Sequence, residues 1–291
     1  MPQTCLPEQS ASPAPRYLRV LSIAGSDSGG GAGIQADLKT MAALGCYGMT
    51  AITALTAQNT CGVHAIHAVP ASHLAQEMDA VSEDIGVDAV KTGMLPSSEA
   101  VLAVASAHER HCWPHLVVDP VMIASSGARL MATDTANTMV KVLFPRATVV
   151  TPNLDEAEFL LQRSITSHAD LLGAAEALLG LGARAVLLKG GHLAGEEVCD
   201  VLVAPGRPPL HLSSPKIHSV NTHGTGCTLA TALACGLAAG LGLEEAFRQA
   251  RDFILSAIAA GANVRTGHGH GPLNHGFAPR PNTVQIVFLK P

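Results

Sequence analysis

Eight residues, Asn221-Thr222-His223-Gly224-Thr225-Gly226-Cys227-Thr228, run straight into the longest stretch of small side chains in the chain, Thr228 to Gly242 (TLATALACGLAAGLG). A segment this rich in Ala and Leu predicts a buried helix rather than a strand. Gly224 and Gly226 then open that helix in a loop where no side chain blocks a ligand's approach to the backbone. The first N–H groups of a helix lack internal partners, and the macrodipole makes that end partly positive. A glycine-rich loop feeding a helix start is therefore a ready anion site. Cys227 falls in the first turn, where the dipole is expected to lower the thiol pKa and raise its thiolate fraction. The same residues also fit a glycine-opened core helix with a small buried cysteine.

The rest of the chain alternates strand and helix patterns. Tyr17 to Ala24 reads as a buried first strand, and it enters Gly25-Ser26-Asp27-Ser28-Gly29-Gly30-Gly31-Ala32-Gly33 before a helical IQADLKTMAAL. Strand, glycine-rich loop and helix form the usual place for a ligand at the carboxyl edge of a parallel sheet. Further strands are predicted at Thr50–Thr56, Val63–Val69, Ala147–Thr151 and Ala183–Lys189, with strand running into loop over Ala89–Leu95 and a short apolar strand from Leu116 ending at Asp119, and helices at Ala71–Ile85 and Ser97–Arg110. This pattern predicts an α/β fold with a mostly parallel sheet between helix layers. Residues 1–16 read as a tail, 17–275 as one domain, and 276–291 as a Pro-rich tail in which Thr283–Leu289 has a late-strand pattern.

Composition excludes several function classes. Aromatic residues are only 3% and the net charge is −5, with no Lys/Arg run, so neither a stacking platform nor a basic groove for nucleic acid is expected. No segment is apolar enough to span a bilayer and no signal peptide is evident. The 7 cysteines form no CxxC or zinc spacing, which suggests reduced thiols in a cytoplasmic protein. There is no GxxxxGK[ST] loop and no GxSxG elbow. Gly180-x-Gly182-x-x-Ala185 nearly matches a dinucleotide fingerprint, but it follows a helix and precedes a strand, the reverse of the required order. His108, His111 and His115 share a helix face until Pro114 breaks it, so they read as a solvated helix end.

Asp119 ends an apolar strand, and Asn153 and Glu156 stand at a helix start. Oxygen donors beside an anion-binding helix suit a nucleotide triphosphate with Mg²⁺. Acids in a first helical turn also serve simply to offset the dipole.

Taken together, AGSDSGGGAGIQADLKT, ITALTAQNTCGV, KTGML, DPVM, TPNLDEAE, LLKGGH and NTHGTGCTLA resemble, in order, the hydroxymethylpyrimidine/phosphomethylpyrimidine kinases of the ribokinase-like superfamily. The resemblance runs from about Leu18 to about His275. It implies a three-layer α/β/α fold and ATP-dependent phosphorylation of 4-amino-5-hydroxymethyl-2-methylpyrimidine, then of its monophosphate, for thiamine biosynthesis. It places Gln58 on the pyrimidine edge, where an amide offers both donor and acceptor. Gly25, Thr56, Met94 and Val121 would surround the ring. Gly224, Thr225, Gly226 and Cys227 match the superfamily's anion hole, with Cys227 where sugar kinases carry a catalytic Asp. Asn153 and Glu156 match an NxxE element that helps hold Mg²⁺ through water, near Asp119, and Lys189 matches a phosphate-contacting lysine. A homodimer is expected. The alternatives are a pyridoxal/pyridoxine kinase and a non-catalytic pyrimidine sensor. The loop Ile123-Ala124-Ser125-Ser126-Gly127 lacks the cysteine that some relatives associate with pyridoxal phosphorylation.

Overall fold

The computed structural model describes residues 16–122 and 131–278. The expected tails up to residue 15 and from residue 279, the loop at 123–127 and the late strand at 283–289 lie outside the described residues.

Among the described residues, nine strands form one sheet. Six of them run parallel: β1 (Arg19–Asp27), β2 (Tyr47–Asn59), β4 (Ala89–Thr92), β5 (Leu116–Val118), β6 (Val149–Val150) and β7 (Val186–Leu188). Antiparallel strands extend both sides, β3 (Gly62–Ala68) beyond β2, then β8 (Glu197–Val203) and β9 (Leu210–Pro215) beyond β7. The spatial order is β3-β2-β1-β4-β5-β6-β7-β8-β9. The chain builds outward from β1 in one direction and then reverses to β4. Between β1 and β4 lies the switch point where open α/β sheets bind ligands.

Strand periodicity explains the layers. Successive side chains point to opposite faces, so a strand covered on both sides is apolar throughout. Leu116 and Val118 of β5 face one cluster with Leu74, Val104, Met139 and Leu178, while Val117 faces another with Met41, Leu233, Phe247 and Ile254. The first cluster is supplied by α2 (Ala71–Asp84), α3 (Ser98–His111), α4 (Thr133–Val142), α5 (Leu154–Leu161) and α6 (His168–Leu179), and the second by α1 (Gly33–Ala43), α7 (Thr225–Ala238) and α8 (Leu243–Gly261). The result is the expected α/β/α sandwich.

The small-residue run is indeed a buried helix, but it starts one turn earlier than its composition indicates, at Thr225, and ends at Ala238. Every residue from Thr228 to Leu237 is buried. Small side chains let α7 pack against the sheet, α1 and α8 at once. A Cβ on Gly236 would stand 2.9 Å from that of Ala246. Overpacking such a helix by a larger side chain typically costs about 1–3 kcal/mol. Two strands also outrun their predicted ends. β1 continues through Gly25 to Asp27 across an irregularity between Ala24 and Ser26, and β2 continues through Gln58 with another between Ala57 and Gln58. Both shifts carry strand backbone into the cleft.

Candidate active site

The carboxyl ends of the parallel strands converge on one cavity of about 630 Å³. β1 brings Gly25 and Asp27, β2 brings Thr56 and Gln58, and the turn after β4 brings Met94. The segment after β5 brings Asp119 and Val121, the one after β6 brings Asn153, and the one after β7 brings Lys189. Glu156 enters from the first turn of α5, and Gly224, Thr225, Gly226 and Cys227 from the start of α7. All the residues that the family resemblance places in the site therefore line a common space.

Gly224 is the N-cap of α7 with φ of 86°, a left-handed conformation that side chains disfavour. A Cβ there would also strike the Gly31 carbonyl oxygen. Of the N–H groups that follow, that of Thr225 donates to Thr222 O at 3.3 Å, and Gly226 stands beside a cation. A Cβ on Gly226 would lie 3.2 Å from Lys189 Nζ and 3.8 Å from Asp119 Oδ2. Lys189 Nζ donates to Asp119 Oδ1 at 2.8 Å, and Thr151 Oγ1 donates to the same oxygen at 3.0 Å. Burial works against the Lys189 charge, but Asp119 and Glu156 more than offset it and hold its pKa above the usual lysine value.

Asn153 and Glu156 form a capping box. Asn153 Oδ1 accepts from the Glu156 N–H at 2.8 Å, and Glu156 Oε2 accepts from the Asn153 N–H at 2.8 Å. Met122 N–H reaches Glu156 Oε1 at 3.4 Å. The dipole-offsetting role is thus real. Yet Glu156 is 2% exposed, and burial, with Asp119 adding to it, pushes its carboxyl up to about 7 despite the pull of Lys189.

Cys227 corrects an expectation. Its thiol pKa is raised rather than lowered: burial dominates, and Asp37 and Asp119 oppose the thiolate. Lys91 and the Gly33 N–H pull the other way without prevailing. The helix start is present, but burial and the neighbouring carboxylates outweigh it.

A buried polar network lies beneath. Lys91, 0% exposed, donates to Asp37 Oδ1 at 3.0 Å and Oδ2 at 2.9 Å, while Ser22 and Thr231 donate to the same carboxylate. On the far side, Val198, Pro215, Ile217, Ile254 and Ile258 give the cavity an apolar wall. Near Gln58 the lining turns polar. Thr56 Oγ1 donates to Ser26 O at 2.9 Å, and His223 Nε2 lies 2.9 Å from Asp27 Oδ2. Gly25 makes room for Met94, whose Cε would stand 2.8 Å from a Cβ at that position.

His111, the last residue of α3, has Nε2 2.7 Å from Asp79 Oδ1, and no group of three or more His, Cys, Asp or Glu that could hold a metal ion occurs among the described residues. No helix among them is long and apolar enough to cross a membrane.

Residues 27–274 match the family described as phosphomethylpyrimidine kinase. The chain belongs to that family. It is 48% identical over 256 residues to the hydroxymethylpyrimidine/phosphomethylpyrimidine kinase of Rhizobium meliloti, covering 88% of this chain and 96% of the relative. It is 50% identical over 264 residues to a thiamine biosynthesis bifunctional protein of Geobacter sulfurreducens; there the match takes 91% of this chain but only 53% of the longer relative. Among solved structures, the phosphomethylpyrimidine kinase of Clostridium difficile has a TM-score of 0.72 at 41% identity, covering 82% of this chain and 99% of that one. An ADP complex of Bacillus subtilis pyridoxal kinase has a TM-score of 0.83 at 35% identity, covering 90% and 98%.

Two further residues, His223 and Arg251, line the cleft of this phosphomethylpyrimidine kinase family member, and a third, Lys91, lies buried beneath it. His223 sat unassigned inside the motif that drew attention first. Lys91 was signalled by a lysine within an apolar strand, Ala89-Val90-Lys91, where only a buried partner makes sense. Arg251 on α8 gave no local signal; its Nη1 meets Asp200 Oδ2 at 2.8 Å only through the fold.

Proposed function

We propose that this chain transfers the γ-phosphoryl group of ATP to the hydroxyl of 4-amino-5-hydroxymethyl-2-methylpyrimidine, and then a second phosphoryl group to the resulting monophosphate. One observation carries this reading. Gln58, able to read an aminopyrimidine edge, and the glycine-opened start of α7, able to hold a phosphoryl group, open onto the same cavity. The apolar wall of Val198, Ile217 and Ile254 suits the adenine ring, with Lys189 between it and α7 to meet the phosphates.

In this account the substrate hydroxyl oxygen attacks the γ-phosphorus while the bond to the bridging oxygen of ADP breaks. The N–H groups of Gly224 to Cys227 hold the phosphoryl oxygens as charge builds on them. The attacking hydroxyl becomes acidic only as its bond to phosphorus forms, so its proton leaves late. Cys227 accepts it as the thiolate fraction of a mostly protonated thiol.

The donor set suits Mg²⁺ as a partner of phosphates rather than as a caged ion. Asp119 keeps Oδ2 toward Gly226 while Oδ1 is occupied, and Glu156 is engaged by two backbone N–H groups. Asp119 would hold the ion, with Asn153 and Glu156 acting through water, and the ion would neutralise phosphate charge. The homodimer reading is supported by exposed Leu55 and Ile66 on the β2–β3 ribbon at the edge of the sheet.

ATP-dependent phosphorylation of the hydroxymethylpyrimidine, its monophosphate and pyridoxal, followed side by side, tests the function. Turnover of both pyrimidines at higher kcat/KM than pyridoxal is expected. Preference for pyridoxal would replace this reading with the vitamin kinase of the same fold.

A further inference from the structure

Gln58 cannot read a pyrimidine edge unless its amide is held one way round. A half-turn exchanges its oxygen and nitrogen, and with them acceptor and donor. The neighbours of that amide decide the matter. As placed, Gln58 Nε2 lies 3.2 Å from His223 Nε2 and Gln58 Oε1 lies 3.1 Å from Thr56 Oγ1.

His223 Nε2 also lies 2.9 Å from Asp27 Oδ2. Asp27 is 3% exposed, and its carboxylate accepts from the N–H groups of Gly29 at 2.8 Å, Gly31 at 3.0 Å and Ala32 at 2.8 Å. Burial opposes its ionisation, but His223 and the Ala32 and Gly29 N–H groups prevail and hold the carboxyl below its usual range. Facing an ionised acceptor, His223 Nε2 carries its proton and donates it. It then has no lone pair for the Gln58 NH₂. At the other end the Thr56 hydroxyl has two acceptors within reach, Ser26 O at 2.9 Å and Gln58 Oε1 at 3.1 Å; given to the nearer Ser26 O, its one proton leaves Thr56 Oγ1 an acceptor toward Gln58. With the amide nitrogen toward His223, as placed, two donors face each other, and with the Thr56 proton on Ser26 O so do two acceptors; the half-turned amide removes both clashes. With the oxygen toward His223, the amide accepts a share of the Nε2–H and donates to Thr56. Every group is then paired.

We propose that His223 is a specificity-determining residue that locks the Gln58 amide in the orientation complementary to a 4-aminopyrimidine. The locked amide keeps one N–H donor and one oxygen lone pair for the ligand. These answer the ring nitrogen and the exocyclic amine. The corresponding 4-oxo pyrimidine presents the opposite pattern, a ring N–H and a carbonyl, and would require the half-turn that His223 and Thr56 forbid. The lock selects against the wrong edge as much as it favours the right one. His223 itself is held by its backbone, whose N–H donates to Gly271 O at 3.1 Å, and by packing against Gly31, where a Cβ would come within 2.5 Å of its ring. The residue that orients Gln58 thus adjoins Gly224, the first residue of the anion hole.

This inference rests on Gln58 reading the pyrimidine. The test is the ratio of kcat/KM for 4-amino-5-hydroxymethyl-2-methylpyrimidine to that for its 4-oxo analogue, with KM for ATP measured alongside. His223→Ala is expected to lower the ratio about tenfold or more, the worth of one directed hydrogen bond, with KM for ATP near the parental value. His223→Gln keeps an N–H within reach of Asp27 and is expected to keep most of the ratio. Thr56→Val frees the other end of the amide with His223 intact, and is expected to lower the ratio as well. A merely structural His223 would depress both substrates together, so an unchanged ratio in His223→Ala and Thr56→Val overturns the proposal. An equal loss in His223→Gln and His223→Ala overturns the donor role. If Gln58→Ala retains the parental ratio, the recognition reading fails and this inference falls with it. If Gln58→Ala loses the ratio and His223→Ala does not, only the lock is wrong.

Discussion

Lys189 Nζ and Asp119 Oδ1 meet at 2.8 Å across the ends of β7 and β5, and both charges act on Glu156 behind them. Burial is the larger force there and brings the Glu156 carboxyl up to about 7. The sign of the consequence follows from linkage. Between the ordinary glutamate value and 7 the unfolded chain has released this proton and the folded chain still holds it. Stability from this group is therefore full at acid pH and is lost as pH rises toward 7. Glu156→Gln carries no such proton, so its unfolding free energy relative to the parent is expected to improve by on the order of 2–3 kcal/mol from pH 4.5 to pH 8. Urea denaturation at several pH values checks this. A constant difference between the two proteins would show that Glu156 titrates normally.

The two phosphorylations make different demands on Cys227. In the first, a hydroxyl must lose its proton. In the second, the nucleophile is an oxygen of a phosphate monoester, whose second pKa is about 6, so near neutral pH little proton transfer is needed. Cys227→Ala is expected to lower kcat of the first step by about 10²–10⁴-fold and to spare most of the second. Cys227→Asp should recover part of the first step, and Cys227→Ser should not. Because the thiol pKa lies above its usual value, the parental first-step rate should climb with pH through neutrality without levelling. Single-turnover measurements of each step check these points. Equal losses in both steps would assign Cys227 to packing around the anion hole.

Arg251 lines the end of the cavity proposed for the nucleotide. Its Nη1 meets Asp200 Oδ2 at 2.8 Å, and Asp200 Oδ1 accepts from the Gly190 N–H at 2.8 Å, directly after Lys189. Removing one partner of a buried pair strands the other, at a cost of roughly 3–5 kcal/mol. Arg251→Met should therefore lose stability on that scale in urea denaturation. Asp200→Asn in the same background should return part of it, since the stranded charge is gone. Additive losses would show that the two residues act independently.

The legible part of this protein was its cleft edge, because glycines, carboxylates and an amide at strand ends are unusual residues in unusual places. Asp119 stands out that way, whereas Gln58 and Lys189 take their roles from the family resemblance. The β8–β9 hairpin and α8 went unread, because Val198, Ile217 and Ile254 are apolar wall residues that sequence cannot tell from core. His223 was visible but had no stated purpose, since its partners Asp27 and Gln58 lie far away in the chain. The Cys227 thiol was misjudged for a similar reason. A helix start can be read locally, whereas the burial and the carboxylates of Asp37 and Asp119 that overrule it arrive from other elements.

The account stands most directly on Gln58 as the reader of the aminopyrimidine. Steady-state kinetics of Gln58→Ala, varying the hydroxymethylpyrimidine at saturating ATP and then ATP at saturating pyrimidine, measure that claim. Losing paired hydrogen bonds in a desolvated site costs roughly 1–3 kcal/mol, which corresponds to a fall of about 5- to 150-fold in kcat/KM for the pyrimidine. KM for ATP should stay near the parental value. An unchanged kcat/KM for the pyrimidine would contradict the assignment of this end of the cavity.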